Sequence, residues 1–338
     1  MKKLLLILFA ATSFIGFSQE LETILLARED AEKLTGAYVQ PGTKALIYNM
    51  NNGWYHTAKV HKKFGFDITV SASGSVIPEK EHIFNIADVG LSSSTTANQP
   101  TTPTLGADNN VNPATITYTG TVSGQSVSVN FDMPTGINDD LIAGTVPTPM
   151  VQVGLGLPFK LEAIARFIPK IGTDDFKAGL FGIGLKKEIT DWFGPLDKTP
   201  LHVSLLAAYT NMNADYEIGN ISGDVTAQDA TAEFNLNAYT FQALASLNFP
   251  VVNIFGGVGY NSGNSDFNML GDYTLTFNRG TPQEVQETVS NPLSISSDAG
   301  SFNATVGVRL SLGFFKLFGS YSAQEYSSFN AGFAFSFR

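Results

Sequence analysis

From residue 65 onward, apolar and polar side chains alternate with a period of two. The first such run, at 66–71, reads FDITVS, and a late one, at 302–312, reads FNATVGVRLSL. Successive side chains of a β-strand point to opposite faces, so this pattern predicts strands with one apolar and one polar face. Similar runs occur at 82–88, 114–121, 126–131, 151–157, 159–167, 177–189, 201–209, 231–249, 252–262 and 271–278. We therefore expect an all-β chain.

Several of these runs are long enough to cross a membrane. A strand in a soluble protein averages about 5–6 residues, whereas a tilted membrane strand needs about 9–11. We expect a transmembrane antiparallel β-barrel of about 12–14 strands, since bacterial barrels have an even number of strands. A soluble β-sandwich is the alternative, and it explains the alternation but not the aromatic content or the last strand.

The segment Phe329–Arg338 carries the clearest strand pattern. Its sequence, FNAGFAFSFR, places Ala331 and four phenylalanines on one face, which in a barrel meets lipid. The segment resembles the C-terminal strand that the barrel-assembly machinery recognises, although Arg338 follows the last phenylalanine here. The expected partners are this machinery, outer-membrane lipid and lipopolysaccharide.

A single amphipathic helix is predicted ahead of the strands, at 20–38. Its apolar face repeats at helical spacing, Glu20 and Glu22 fall in the first turn, where the helix dipole favours anions, and Gly36 and Pro41 mark its end. The next stretch, 42–64, is irregular. Because the helix is too polar to span a bilayer, residues 20–64 are expected inside the barrel as a plug, or else at the membrane interface.

The N-terminus predicts export. Two lysines precede the apolar run Leu4–Phe17, which is shorter than the roughly 20 apolar residues that span a bilayer. We expect a signal peptide at 1–18 cleaved before Gln19, a helix and plug segment at 19–64, and an outer-membrane barrel at 65–338.

Composition narrows the class further. Charged residues make up only 15% of the chain, against about 25% in soluble domains, and 26 phenylalanines and 32 glycines suit a wall that faces lipid. The absence of cysteine excludes a cysteine-linked lipid anchor, disulfides and thiolate metal sites. The formal charge of −10 becomes more negative when Lys2 and Lys3 leave with a signal peptide, which argues against nucleic acid as a partner.

The best ligand-like cluster lies in the predicted plug. It consists of Trp54, Tyr55, His56, Lys59, Lys62 and Lys63. Aromatic rings beside amines suit an amphipathic anion, and the alternative is that the rings pack the segment against the barrel wall. No catalytic, cofactor or metal motif is recognisable, so we expect neither an enzyme nor a cofactor. His202 and Ser204 share a strand face, and they are the pair on which a lipid hydrolase would have to rest.

Three stretches resemble an uncharacterised family of exported Gram-negative outer-membrane proteins. They are NNGWYHTAK at 51–59, running into KFGFD at 63–67, RFIPK at 166–170, and GIGLK at 182–186 with Pro200-Leu201 downstream. This resemblance implies a barrel and supplies no activity. The layout, a helical segment ahead of a barrel of similar size, more distantly resembles the long-chain fatty-acid transporters of the outer membrane. No motif of those transporters is matched, so no site residues are carried over.

These patterns favour passive, porin-like transport of small hydrophobic or amphipathic molecules through a partly plugged lumen. Two alternatives stay open. One is a structural or surface-interaction barrel without transport, and the other is an outer-membrane lipid hydrolase that depends on His202.

Overall fold

The computed structural model describes residues 21–173, 175–221 and 223–337. The expected signal peptide, its cleavage site before Gln19, and Arg338 lie outside the described residues. Within these ranges no helix is both long enough and apolar enough to cross a membrane.

The described residues contain one α-helix and sixteen strands. Helix α1 spans Ala31–Asn51 and follows a 3-10 segment at Glu22–Asp30. The strands are β1 Phe66–Val76, β2 Ile83–Asn85, β3 Thr95–Ala97, β4 Thr101–Pro103, β5 Thr115–Val122, β6 Gln125–Asp132, β7 Thr145–Leu157, β8 Leu161–Gly172, β9 Phe176–Glu188, β10 Leu201–Ile221, β11 Val225–Asn248, β12 Val252–Phe277, β13 Val285–Ser290, β14 Leu293–Leu312, β15 Phe315–Ala323 and β16 Ser328–Phe337. Short 3-10 turns lie at Glu79–Glu81, Ile86–Val89, Asn138–Asp140 and Ile142–Gly144, with a longer one at Thr190–Lys198.

Ten of these strands close into an antiparallel barrel. Their order around the wall is β1, β7, β8, β9, β10, β11, β12, β14, β15, β16, and β16 returns to β1. The expected β-barrel is confirmed, with fewer wall strands than the 12–14 predicted. The runs at 252–262 and 271–278 form one strand, β12, while β2 to β6 belong to small sheets outside the wall.

The two ends of the barrel differ. At one end, which we call the short-turn end, β7 joins β8, β11 joins β12 and β14 joins β15 through turns of two or three residues. At the opposite, long-loop end, the chain makes an excursion between β1 and β7 that carries β2 to β6. The long strands β10, β11, β12 and β14, with β13 paired to β12, also extend at this end.

The outer surface of the barrel is an apolar belt. Every second side chain of the wall strands points outward, and many of these are large, apolar and exposed, such as Phe241 at 64% and Phe167 at 61%. The four phenylalanines of β16 are among them. The inward-facing set is mostly small or polar, as on β1, where Asp67, Thr69 and Ser71 are buried. A wall with apolar side chains outside and polar ones inside suits lipid rather than water.

Helix α1 lies inside the barrel, where it contacts β1, β7, β10, β11, β12 and β14. The lumenal alternative is therefore the one observed, and the interfacial one is wrong. The predicted helix limits of 20–38 are also wrong, because α1 begins later and continues through Gly36 and Pro41. A helix enclosed by a barrel wall is stabilised by packing on all sides, which outweighs the cost of an internal proline.

Residues 52–64 continue down the lumen as irregular chain and reach β1 at the short-turn end. There the Phe64 N–H donates to the Gly156 carbonyl at 2.8 Å, and the Gly156 N–H donates to the Gly65 carbonyl at 2.8 Å. We call residues 52–64 the lower plug. It occupies the half of the lumen nearer the short-turn end.

Candidate functional site

The aromatic residues of the predicted ligand cluster are packing groups of the lower plug. Trp54 is 1% exposed, and the guanidinium carbon of Arg166 lies 3.7 Å from the centre of its ring. The indole fits because the facing wall residues are glycines, since a Cβ on Gly184 would lie 3.0 Å from Trp54 Cζ3. Tyr55 packs edge-on against Phe255. Trp54 and Tyr55 therefore pack the lower plug against the barrel wall, which was the alternative to ligand binding in the sequence analysis.

His56 is held in one tautomer by two neighbours. Arg309 Nη1 lies 3.0 Å from His56 Nδ1, and because a guanidinium only donates, Nδ1 must accept. The ring proton is then on Nε2, which donates to Asp67 Oδ2 at 3.1 Å. Burial lowers the pKa of this imidazole, although the Asp67 contact opposes that shift. His56 therefore acts as a neutral bridge between the plug and two wall strands.

The three lysines of the cluster do not join its aromatic residues. Lys59, Lys62 and Lys63 are exposed toward the short-turn end. None of the ion pairs formed by the described residues joins these lysines to Glu162 of β8. Glu162 instead contacts Lys186 Nζ at 2.8 Å and His61 Nδ1 at 2.9 Å. An amphipathic anion would thus find the amines and the rings in different places.

Arg166 of β8 fastens the C-terminal end of α1. Its Nη1 donates to the Met50 carbonyl at 3.0 Å and its Nη2 to the Asn52 carbonyl at 2.6 Å, while Nε donates to Gln152 Oε1 at 3.1 Å. The last carbonyls of a helix lack intrahelical partners and carry partial negative charge, so a buried cation is well placed there. Sequence reasoning singled out the RFIPK stretch only as a resemblance and missed this contact.

In the described part of the chain, no hydrogen bond joins His202 to Ser204, the pair on which a hydrolase would have to rest. His202 Nδ1 lies 2.7 Å from Glu188 Oε1, and the fully buried Ser204 hydroxyl donates to the Ala58 carbonyl. Ser204 therefore contacts the lower plug directly, and His202 contacts Glu188, which accepts a hydrogen bond from the Val60 N–H of the plug. The same part of the chain holds no group of three or more residues placed to bind a metal ion.

Above the lower plug, a cavity of about 330 Å³ lies between α1 and the barrel wall. Helix α1 lines it with Tyr38, Val39, Gly42, Thr43 and Leu46. The wall contributes Val146, Pro147, Thr148, Pro149, Ile168, Ile171, Gly172, Thr173, Phe176, Ala178, Gly179, Leu180, Met212, Ala214, Asp215, Tyr216, Ile218, Ala232, Phe234, Phe267 and Met269, and Leu21, Glu22 and Leu105 complete it. This upper cavity is almost wholly apolar and has the size of a small-molecule site.

Glu22 and Asp215 are the acidic residues of this lining, and Glu22 is the buried one. Its side chain is 3% exposed, and its Oε1 has no hydrogen-bond partner among the described residues. Burial raises the pKa of this carboxyl from 4.5 to about 7. The sequence placed Glu22 in the first turn of the predicted amphipathic helix, but it lies in the 3-10 segment Glu22–Asp30 that precedes α1.

The wall beside the upper cavity is open between β7 and β8. These strands pair from Leu157–Leu161 up to Gln152–Arg166 and no further, although β7 continues to Thr145 and β8 to Gly172. In the same region β8 is irregular, since its register against β9 shifts between Ile168 and Ile171. We call this gap, flanked by residues 145–151 and 167–172, the seam.

Three prolines border the seam. The N–H and the carbonyl of Gly156 both form hydrogen bonds on the side of β7 that faces β1. Because successive residues of a strand direct their backbone groups to opposite sides, the odd-numbered residues of β7 direct theirs toward β8. Pro147 and Pro149 are odd-numbered and have no N–H to donate across the gap. On the opposite side, Pro169 lies in the irregular part of β8. The pattern TVPTPM at 145–150 carried this signal, because proline within a strand indicates an edge.

The fold and the lumen together define a plugged antiparallel β-barrel of the outer-membrane type, with an apolar cavity above the plug. The chain matches the "Family of unknown function (DUF6588)" over residues 1–337. It therefore belongs to that family, in agreement with the expected uncharacterised barrel family. No functionally curated protein matches the chain.

Among solved structures, the chain is similar to other outer-membrane barrels. The outer membrane protease OmpT from Escherichia coli is 9% identical with a TM-score of 0.33, over 81% of this chain and 96% of that one. Ail, the attachment invasion locus protein of Yersinia pestis, is 8% identical with a TM-score of 0.27, over 81% and 99%. The translocator domain of the autotransporter NalP from Neisseria meningitidis is 11% identical with a TM-score of 0.31, over 87% and 93%.

Proposed function

We propose that this barrel takes up small apolar molecules by passive transport, with the upper cavity as its binding site. The observation that carries this proposal is an apolar cavity of about 330 Å³ in a lumen whose wall is otherwise lined mostly by small or polar side chains. Apolar side chains that face the lumen are not covered by membrane lipid. Binding of an apolar molecule removes their surface from water, which is favourable. We place the long-loop end outside the cell, as is usual for such barrels, so the cavity lies on the outer side.

The seam supplies an entry for molecules dissolved in the membrane. A cavity confined to the lumen would touch only the inward-facing alternate residues of a strand, yet this one touches four consecutive residues, 146–149, of β7. The cavity therefore reaches the edge of the wall. Val151 and Phe167, at the lower end of the seam, face outward and are exposed in the apolar belt. An apolar molecule in the outer leaflet would thus reach the cavity without crossing water.

The lower plug is the barrier to onward passage. It is held by Glu162 through His61 and by Asp67 through His56, and the Val60 N–H donates to Glu188 Oε2 at 3.1 Å. Release toward the short-turn end requires this segment to move. Breaking any one contact of this buried polar network leaves a group without its partner, so movement of the plug is opposed by a substantial free-energy cost.

The same network favours a second candidate, a structural barrel without transport. A plug fastened by buried hydrogen bonds to six wall strands, β1, β8, β9, β10, β11 and β14, suits a permanently sealed lumen as well as a gated one. In that case the upper cavity would have no specific ligand, and the seam would be an unpaired part of the wall without a role in uptake.

Filling the cavity separates these candidates. Ala214 of β10 lines the cavity, whereas Ala207 of the same strand faces lipid. We expect Ala214→Trp to abolish saturable binding of the neutral fluorophore N-phenylnaphthylamine to the purified protein in detergent, and Ala207→Trp to leave it unchanged. Wild-type protein without saturable binding, or an Ala214→Trp variant that binds as wild type, would refute the cavity as the site.

A further inference from the structure

Resting on the proposed function, we infer that the upper cavity selects neutral molecules that carry one hydrogen-bond donor, such as a hydroxyl or an amine N–H, and rejects anions such as carboxylates and sulfonates. The residue that imposes this selection is Glu22. The shared chemistry of the ligands is an apolar body with a single donating polar group.

The first step of the argument is the position of the carboxyl. Glu22 lines a largely apolar cavity and is 3% exposed, so water does not solvate it well. Its Oε1 accepts no hydrogen bond from the described part of the chain. A buried acceptor without a partner costs free energy that a donor on a ligand would recover.

The second step is the charge around it. The cavity lining has no lysine, arginine or histidine among the described residues. The other titratable groups that line it are Tyr38 of α1 and Asp215 and Tyr216 of β10, and Lys170 of β8 neutralises Asp215 at the rim. Tyr273 of β12 is close enough for a charge on Glu22 to act on its hydroxyl. Strands β5, β6 and β11 pack against the 3-10 segment Glu22–Asp30. None of their described residues adds a charge to the cavity lining.

Nothing in this lining compensates a negative charge on a ligand. An anion would have to enter an apolar cavity beside an acidic group, so it would lose its hydration and gain no counter-ion. A neutral donor meets the opposite situation, because the carboxyl accepts its hydrogen bond in either protonation state. The selection therefore works against anions specifically, and size or apolarity does not decide it.

The expected pH dependence follows from the raised pKa of Glu22, which burial moves from 4.5 to about 7. Below this value the carboxyl is protonated and neutral, so an anion meets only the desolvation cost. As the pH rises through about 7 the carboxyl ionises, and repulsion is added. Exclusion of anions should therefore strengthen from acid to alkaline pH, while binding of neutral ligands changes little.

Two fluorophores with the same aromatic skeleton test this selection. N-phenylnaphthylamine is neutral and has one N–H, and anilinonaphthalene sulfonate adds a sulfonate that stays ionised. We expect wild-type protein to bind the amine similarly at about pH 5 and about pH 8, and to bind the sulfonate about tenfold more weakly at the higher pH. Glu22→Gln should remove this pH dependence. Glu32→Gln, an equal charge change on the exposed side of α1, should retain it.

The outcomes separate the inference from the proposed function. If both fluorophores bind alike at both pH values, or if Glu22→Gln keeps the pH dependence, the inference is overturned while cavity binding stands. If neither fluorophore shows binding that Ala214→Trp removes, the proposed function itself fails. Saturable amine binding with pH-dependent exclusion of the sulfonate, lost in Glu22→Gln alone, supports both.

Discussion

At the scale of single residues, the lumen is organised by a few buried polar side chains that fasten the chain to the wall. Arg166 is the clearest case. It is fully buried, donates three hydrogen bonds and covers the Trp54 ring, and its oxygen partners among the described residues are two main-chain carbonyls and one side-chain amide. A cation without a carboxylate partner is tolerated here because the end of α1 supplies the negative pole.

Arg166 gives a prediction about stability. Arg166→Gln should lower the free energy of unfolding by at least about 2 kcal/mol, since it removes the guanidinium donors to the buried Asn52 and Met50 carbonyls and leaves Met50 only the more distant Thr210 hydroxyl at 3.3 Å. Urea unfolding of the protein in lipid vesicles, followed by tryptophan fluorescence, measures this. The control is Arg279→Gln, which removes an exposed ion pair to Asp224 and should cost less than about 1 kcal/mol. Equal effects of the two substitutions would contradict the assigned role.

Single residues also show where sequence reasoning stops. The outward phenylalanines of β16 were predicted because strand periodicity alone fixes a face. Trp54, Tyr55 and His56 were correctly noticed as unusual, but whether aromatic residues bind a ligand or pack against the wall depends on partners such as Phe255 and Arg309, about 200 or more positions away. Glu22 was misplaced because a 3-10 segment with a kink at Arg28 replaced the regular helix.

At the scale of elements, the seam is the feature that gives the barrel a function beyond that of a wall. Edges of a sheet within a membrane are costly because their main-chain groups lack partners. Prolines at Pro147, Pro149 and Pro169 reduce that cost by removing donors, and they also prevent the edges from pairing. A gap maintained in this way is a built-in property of the strands rather than a defect of the wall.

Locking the seam tests its role as an entry. The chain has no cysteine, so a pair introduced as Pro149→Cys with Pro169→Cys can be cross-linked selectively. We expect the cross-linked protein to take up N-phenylnaphthylamine several-fold more slowly than wild type, and reduction to restore the rate. The matched control is Leu155→Cys with Ala163→Cys, positions that already pair between β7 and β8. Unchanged uptake after locking would exclude the seam as the route.

The elements also show which boundaries the sequence determines. Strand faces followed from alternation, but strand ends did not. The pattern broke where β12 leaves the apolar belt, so one strand of 26 residues was predicted as two. The run before Val151 was not recognised because prolines interrupt the pattern, yet β7 begins at Thr145. Helix α1 was predicted too early because Gly36 and Pro41 normally end helices, and enclosure by the barrel overrides that tendency.

At the scale of the whole molecule, barrel, plug and cavity form one assembly. The wall excludes lipid, the lower plug closes the short-turn half of the lumen, and α1 leaves an apolar space on the other side. The class of fold was predictable because it depends on local periodicity and strand length. The closure of ten strands and the placement of the cavity were not, since they depend on pairings such as β1 with β16 between distant parts of the chain.

Outer-membrane placement agrees with the apolar belt on the outer surface of the barrel. We further propose that residues 1–18 direct export and that Phe329–Arg338 addresses the assembly machinery. The chemistry of uptake, however, depends on the lumen and can be measured independently of these steps.

The most direct measurement is the rate at which N-phenylnaphthylamine enters Gram-negative cells whose intact outer membrane otherwise excludes it. Cells expressing the wild-type protein should show a several-fold faster fluorescence rise than cells with an empty vector. The Ala207→Trp variant should match wild type and the Ala214→Trp variant should match the empty vector, at equal amounts of heat-modifiable barrel in the membrane. Entry at the empty-vector rate in cells with assembled wild-type protein, or entry unaffected by Ala214→Trp, would contradict uptake through the upper cavity.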